Sequence, residues 1–396
     1  VVAPRLRCAG TKQRASARWD VGAMDPKQFY DASMADRLDG FAKYIMQNGF
    51  TRPAWIYRWH FLVWATNYGG FFLFACVAPR SSDLSASAYS RLLFVKFMVW
   101  QHMAEAIGVR QGPLSGHFGL PNNWRFRLSL GTLKYATLPI FGKKRNIFDL
   151  IVHCLFFISC IGFLLCPWYS FACIRTLCTC DALVFLSDMT QFYASTGHGY
   201  WTMVLSACFP AESGQLAGMQ LALIFQWFFS GVGKIGPWFT YVNGPFMLQS
   251  KIFAGQKWLF NLLMKSPEDL SPTTFGICLA HFAAAVEYVA PVLLMVPSDA
   301  AIWIGFVGII GMHVYILVMP APFDVYSWNT SYACCGVYLF YLSGCFGFDM
   351  QGLATMSPCL AAVLAGEFVL CWYGQFFPEH VGYYLSHRYW AGNWVQ

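Results

Sequence analysis

Charge is what this sequence has least of. Only 11% of its 396 residues are Asp, Glu, Lys or Arg, against about a quarter in ordinary globular domains. With 57% hydrophobic residues, 18% aromatics and a mean hydropathy of +0.46, the scarcity excludes a water-soluble globular chain. The sequence reads as a polytopic membrane protein. Several chemistries are excluded as well. No C-x-x-C occurs, which removes the zinc knuckle and the thioredoxin-like redox pair. H-E-x-x-H, the close histidine clusters of membrane desaturases and hydroxylases, the Walker A loop, the nucleophile elbow and the dinucleotide fingerprint are all missing. There is no internal repeat and no soluble domain of any size.

What charge there is carries topology. The formal balance of +7 comes from basic residues in loops between apolar runs, not along one stripe. That pattern points to membrane orientation and not to nucleic acid. Among fifteen cysteines, Cys154, Cys160, Cys166, Cys173, Cys278, Cys334, Cys335 and Cys371 lie in or at the ends of apolar runs, where cysteine behaves as a small hydrophobe. Cys178 and Cys180 are left open between a bridge and free thiols.

Residues 1–23 are basic and free of acids until Asp20. They read as the tail of a targeting peptide or as translated upstream sequence before Met24, and the valine at position 1 suggests a fragment or a processed chain. Residues 24–396 form the multipass domain, opening with a surface helix over 25–50. Spans are expected at Trp55–Val77, Leu92–Val109, Ile147–Cys166, Pro167–Leu186, Leu216–Val232, Phe275–Val296, Ile302–Met319, Ser331–Phe346 and Pro358–Phe376. The fold class expected is therefore an all-α integral membrane bundle of about nine helices, with an interfacial helix over Asn243–Lys265. The loop Arg110–Asn146 carries GPLSGHFGLP and then Arg125, Arg127, Lys134, Lys143, Lys144 and Arg145. It lies on the same side as the basic N-terminus after two crossings. Its length suggests a segment folded back over the bundle, although simple turn chemistry explains the motif too.

The central stretch, Gln215–Phe239, is uncharged from Leu216 to Val232 and then runs through Ser230-Gly231-Val232-Gly233 to Lys234. A lysine at bilayer depth costs about 3 kcal/mol on insertion scales unless it is paired or snorkels. Desolvation makes such an amine a usable base or nucleophile. Equally, Pro237 and Trp238 mark an interface, where Lys234 is a snorkelling anchor. His281 and Glu287 lie on the next apolar helix, and His313 is in the middle of the span after it. Six residues separate His281 from Glu287, roughly 120° of helix, so each needs a partner elsewhere. They are either functional or an internally bonded histidine and a structural glutamate. His102 and Glu105 share a face at i, i+3. A lone pair of this kind is weak evidence for a metal, and no metal site is assigned. His198 lies in a polar, aromatic connection, Ser187–Pro210.

Six stretches taken together resemble an uncharacterised family of multipass transmembrane proteins, catalogued as a domain of unknown function. They are Gly112–Gly116, Leu130–Lys134, Trp227–Ile235, Met312–Tyr315, Ser327–Asn329 and Arg388–Trp394. The likeness runs in order from about Phe41 to the C-terminus, and it implies that the chain is truncated after the AGNW element. It carries no activity with it. More distantly, Phe225–Ile235 is similar to the aromatic-small-Gly-x-x-Lys-Leu segment of vitamin K-dependent gamma-carboxylase and its horizontally transferred transmembrane (HTTM) relatives. In that family the lysine is regarded as the base that activates the hydroquinone. The order His281, Glu287, His313 that follows is similar too. The chain lacks the carboxylase's large soluble domain, so protein carboxylation is not implied.

The function expected is a membrane-embedded enzyme of HTTM type acting on a lipidic or quinone-like substrate. The resemblance makes Lys234 the base, with His281, Glu287 and His313 tuning it and His198 supplied from a loop. The alternative is a non-catalytic scaffold, an accessory subunit or a small-molecule transporter. Expected partners are the lipid bilayer and that lipidic or quinone-like molecule, with no nucleic acid. No cofactor is assigned.

Overall fold

The computed structural model describes residues 31–48, 54–107, 128–136, 138–189, 197–250, 252–318, 325–381 and 386–388. The GPLSGHFGLP loop, residues 1–23 and the AGNW element lie outside them.

Among the described residues the regular structure is helical, with two isolated β-bridges. Helix α1 spans Met34–Asn48, α2 Ala54–Val77 and α3 Ala86–Ile107. They are followed by α4 Ile147–Leu165, α5 Phe171–Ser187 and α6 Gly197–Ser206. Next come α7 Gln215–Val232, α8 Pro237–Gln249, α9 Lys257–Leu263 and α10 Thr274–Leu293. The chain continues through α11 Asp299–Val318 and α12 Val325–Val337, which runs into a π-helical turn at Tyr338–Leu342. Short α13, Met350–Ala354, precedes α14, Pro358–Phe376, and α15, Pro378–Val381.

Helix α7 is the centre of the bundle. It carries no ionisable residue, and α6, α10, α13 and α14 all pack on it. Its entry requires glycine. Gly214 has φ +79, and a Cβ there would stand 2.5 Å from the Gly352 carbonyl. Around α7, α10 packs on α11 and α11 on α12, while α3, α4, α5 and α6 build the other half. Other starts are fixed by side-chain caps: Asn146 and Asp149 form a capping box on α4, Ser170 caps α5, and Thr273 caps α10.

Four helices, α4, α10, α11 and α14, are long and apolar enough to cross a membrane. Counting the bent pair α7 and α8 as one span gives a fifth. The remaining spans expected from sequence are helical, but α3 and α5 carry ionisable residues and α12 ends in the π turn. The Asn243–Lys265 region is not one helix. Its first part belongs to α8, which turns 95° away from α7, and its second is α9. Beneath α8 lies α1, whose Leu38, Phe41, Ala42 and Ile45 form a buried i, i+3, i+4, i+7 face.

Helices α7 and α10 cross at Gly231. A Cβ at that position would lie 2.7 Å from the Tyr288 amide nitrogen and 2.9 Å from the Glu287 carbonyl carbon. Both are backbone atoms, so the helices themselves must part. Gly231→Ala is expected to destabilise the protein by about 1–3 kcal/mol, read as a lowered midpoint of detergent-phase thermal unfolding. Gly366→Ala, which meets nothing within 4 Å, should leave that midpoint unchanged.

Candidate functional site

Trp227, Gly231 and Lys234 recur at i, i+4 and i+7, so they share one face of α7 and its C-terminal extension. The glycine brings α10 close enough for Lys234 to reach across. Lys234 Nζ donates to Glu287 Oε2, and both side chains are 9% exposed. The amine also lies 3.3 Å from the Ser230 carbonyl and 5.5 Å from the centre of the Phe239 ring. The chain bends here because α7 ends at Val232 and Pro237 opens α8. Trp238 Nε1 donates to the Gly233 carbonyl at 3.0 Å, satisfying a carbonyl at the end of α7. Lys234 is therefore held in a helix break, buried and paired with α10.

Two turns back along α7, Trp227 Nε1 donates to His313 Nε2 at 2.9 Å. An indole nitrogen only donates, so Nε2 accepts and the ring proton sits on Nδ1. That nitrogen donates to Asn329 Oδ1 at 2.8 Å. His313 is thus a neutral imidazole fixed from both sides, by α7 and α12. Three of the short stretches that carry the family resemblance, around Trp227–Lys234, His313 and Trp328-Asn329, meet at this place.

On another face of α7, Gln226 and Ser230 approach His387 Nδ1 at 3.1 and 3.4 Å. His387 has a φ of 60 and is buried against Phe229. A C-terminal segment therefore packs back onto the end of the central helix. Nothing in the sequence marked His387, because its positive φ and its partner 161 positions away have no local signature.

The other sequence candidates fall elsewhere. His281 is exposed on α10, about 120° around from Glu287. His198 starts α6, but its side chain is outside the described residues. His102 and Glu105 are both buried on α3, each with its own partner. His102 Nε2 meets Asp181 Oδ2 at 2.7 Å, and Glu105 Oε1 accepts from Trp328 Nε1 at 2.9 Å. Among the described residues no group of three or more His, Cys, Asp or Glu stands ready to hold a metal ion. Trp227, Asn329 and Asp181 were missed because their roles are long-range pairings.

Two basic residues of the loop before α4 are not solvated topology charges. Lys134 Nζ donates to both Asp149 oxygens at 2.5 and 2.6 Å, with both side chains fully buried. Arg145 pairs with Asp188 at 2.7 Å, also buried, and donates to the Leu133 carbonyl at 2.7 Å. These pairs tie the loop to α4 and to the end of α5.

The profile of a family described as "Transmembrane protein of unknown function (DUF3556)" matches residues 17–396. The chain belongs to that family and is an integral, multipass membrane protein. No curated protein and no solved structure matches it.

Removing one partner of a buried pair leaves an uncompensated charge, which costs about 3–5 kcal/mol. Lys234→Met and Glu287→Gln should each lower stability by that order, measured by detergent-phase denaturation followed through tryptophan fluorescence. The double variant Lys234→Met/Glu287→Gln removes both charges and should lose less than the sum of the single variants. Strict additivity would show that the two side chains do not interact.

Proposed function

We propose that this member of the DUF3556 family is a membrane-embedded enzyme of HTTM type, with Lys234 as the base acting on a lipidic or quinone-like substrate. One observation carries the proposal: a buried amine faces a buried carboxylate at a helix break, and Trp227, on the same face of α7 as that amine, holds His313 of α11 as a neutral imidazole. The likeness to the HTTM segment rests on Phe225–Ile235 and on the order His281, Glu287, His313 that follows it. The geometry adds to it a proton acceptor within reach of the amine.

As an ammonium, Lys234 cannot act as a base. The contact with Glu287 supplies the acceptor to which that proton can pass when the substrate binds. Glu287 is then the proton store and Lys234 the base that an acidic hydroxyl of the substrate meets. His313, neutral and hydrogen-bonded at both nitrogens, acts as a fixed dipole beside the pair. His281 has no part in this arrangement. The nine-crossing bundle belongs to the same proposal. Helix α3 carries Arg91, Lys96, His102 and Glu105; the last three are buried, and Lys96 donates to the Cys166 carbonyl at 2.7 Å. Paired charges of this kind are compatible with a membrane crossing.

A second reading has its own observation. Gly231 lets the two backbones touch where the ion pair forms, which is what a non-catalytic clamp between α7 and α10 requires.

Reductive alkylation separates the two. A bilayer-soluble long-chain aldehyde with cyanoborohydride is expected to modify Lys234 at neutral pH, located by peptide mass spectrometry. Glu287→Gln, which removes the counter-charge favouring the ammonium, should raise that labelling several-fold. Labelling confined to the exposed Lys143, Lys257 and Lys265 would support the clamp and contradict the base.

A further inference from the structure

A second cluster of reactive side chains lies in the half of the bundle built by α3, α5 and α6. The Cys208 thiol donates toward the Cys178 sulfur at 3.2 Å, and both residues are buried. The approach is set by backbone held from three sides. The Tyr169 hydroxyl and the Gln215 amide donate to the Ala207 carbonyl at 2.6 and 3.0 Å. Arg175, one turn before Cys178, donates to the carbonyl of Cys208 itself at 3.3 Å. The two sulfurs are therefore brought together by fixed elements.

Asp181 lies one turn after Cys178 on the same side of α5. Its Oδ2 meets His102 Nε2 at 2.7 Å, with both side chains wholly buried. Asp181 Oδ1 and His102 Nδ1 have no hydrogen-bond partner, an unusual state for buried polar atoms. A carboxylate that orients an imidazole, with a lone pair left on each, is a proton-accepting arrangement. Thiol chemistry needs one, because the thiolate is the reactive form and burial in apolar surroundings disfavours it.

We propose that Cys178 and Cys208 form a dithiol–disulfide couple oxidised by a quinone dissolved in the bilayer, with the Asp181–His102 dyad as the proton acceptor for Cys178. Cys178 gives its proton to the dyad, and its sulfur bonds to a quinone carbon. The Cys208 sulfur then attacks that sulfur, forming the S–S bond and breaking the carbon–sulfur bond. The electron pair and both thiol protons end on the quinone, which leaves as hydroquinone. The dithiol is oxidised and the quinone reduced by two electrons. Burial favours a neutral, apolar oxidant over a charged peptide disulfide, because desolvating the charged one is costly. This couple is separate from the Lys234–Glu287 pair and does not depend on its role.

The test treats reduced, detergent-solubilised protein anaerobically with duroquinone, whose fully methylated ring resists stable thiol addition, or with oxidised glutathione. Samples are then unfolded, alkylated and mapped without reductant. Duroquinone is expected to give a linked Cys178–Cys208 peptide and an equimolar amount of hydroquinone, and oxidised glutathione is expected to give neither. Asp181→Asn should slow the link by at least about tenfold, while Lys265→Met, at an exposed position, leaves its rate unchanged. Complete alkylation of both cysteines after duroquinone, or links scattered over other pairs such as Cys160 and Cys180, would overturn the proposal in the wild-type protein itself.

Discussion

An ion pair inside an apolar bundle has to be held by the fold, because each unpaired ion left there costs several kcal/mol. Lys234 and Glu287 meet where α7 and α10 come closest, and they do so because position 231 has no side chain. The break after Val232 turns α8 by 95° and leaves Lys234 buried against Glu287 of α10. From the same face of α7, Trp227 fixes His313 on α11, and His313 in turn holds Asn329 on α12. Four helices are thus joined by polar contacts that only a closed crossing can satisfy.

The same economy of charge recurs through the molecule. Lys134–Asp149 and Arg145–Asp188 fix the connection before α4, and His102–Asp181 and Trp328–Glu105 join α3 to α5 and α12. Polar groups in an apolar chain are expensive when alone and specific when paired, so a few contacts define which helices are neighbours. The π turn at Tyr338–Leu342 follows this rule as well. Gln220 of α7 donates to the Leu339 carbonyl within that turn at 2.8 Å and to the Gly347 carbonyl in the loop beyond it at 2.9 Å.

The helical class and the most apolar spans were legible because hydrophobic runs of membrane length are a composition signal. Lys234 and Glu287 were legible one at a time, as isolated charges in runs that otherwise have none. Their partnership was not, since 53 positions separate them and nothing local encodes which helix faces which. Lys134 and Arg145 illustrate the opposite difficulty. Counted as loop charge, they fitted a topology rule, whereas the fold uses them as buried partners of Asp149 and Asp188. Trp227 and Asn329 stood out only as members of the stretches that carry the family resemblance, because an indole or an amide shows its role only when its partner is placed.

Contact between Lys234 and Glu287 can be tested in the unaltered protein with a membrane-permeant carbodiimide. The reagent activates buried carboxyl groups, and an amine in contact then closes an amide with loss of water. A Lys234–Glu287 isopeptide is expected by mass spectrometry, with the exposed Lys265–Asp269 pair at 3.7 Å as an internal reference. A carbodiimide adduct retained on Glu287 beside an unmodified Lys234, or a cross-link at Lys265–Asp269 with none at Lys234, would contradict the contact.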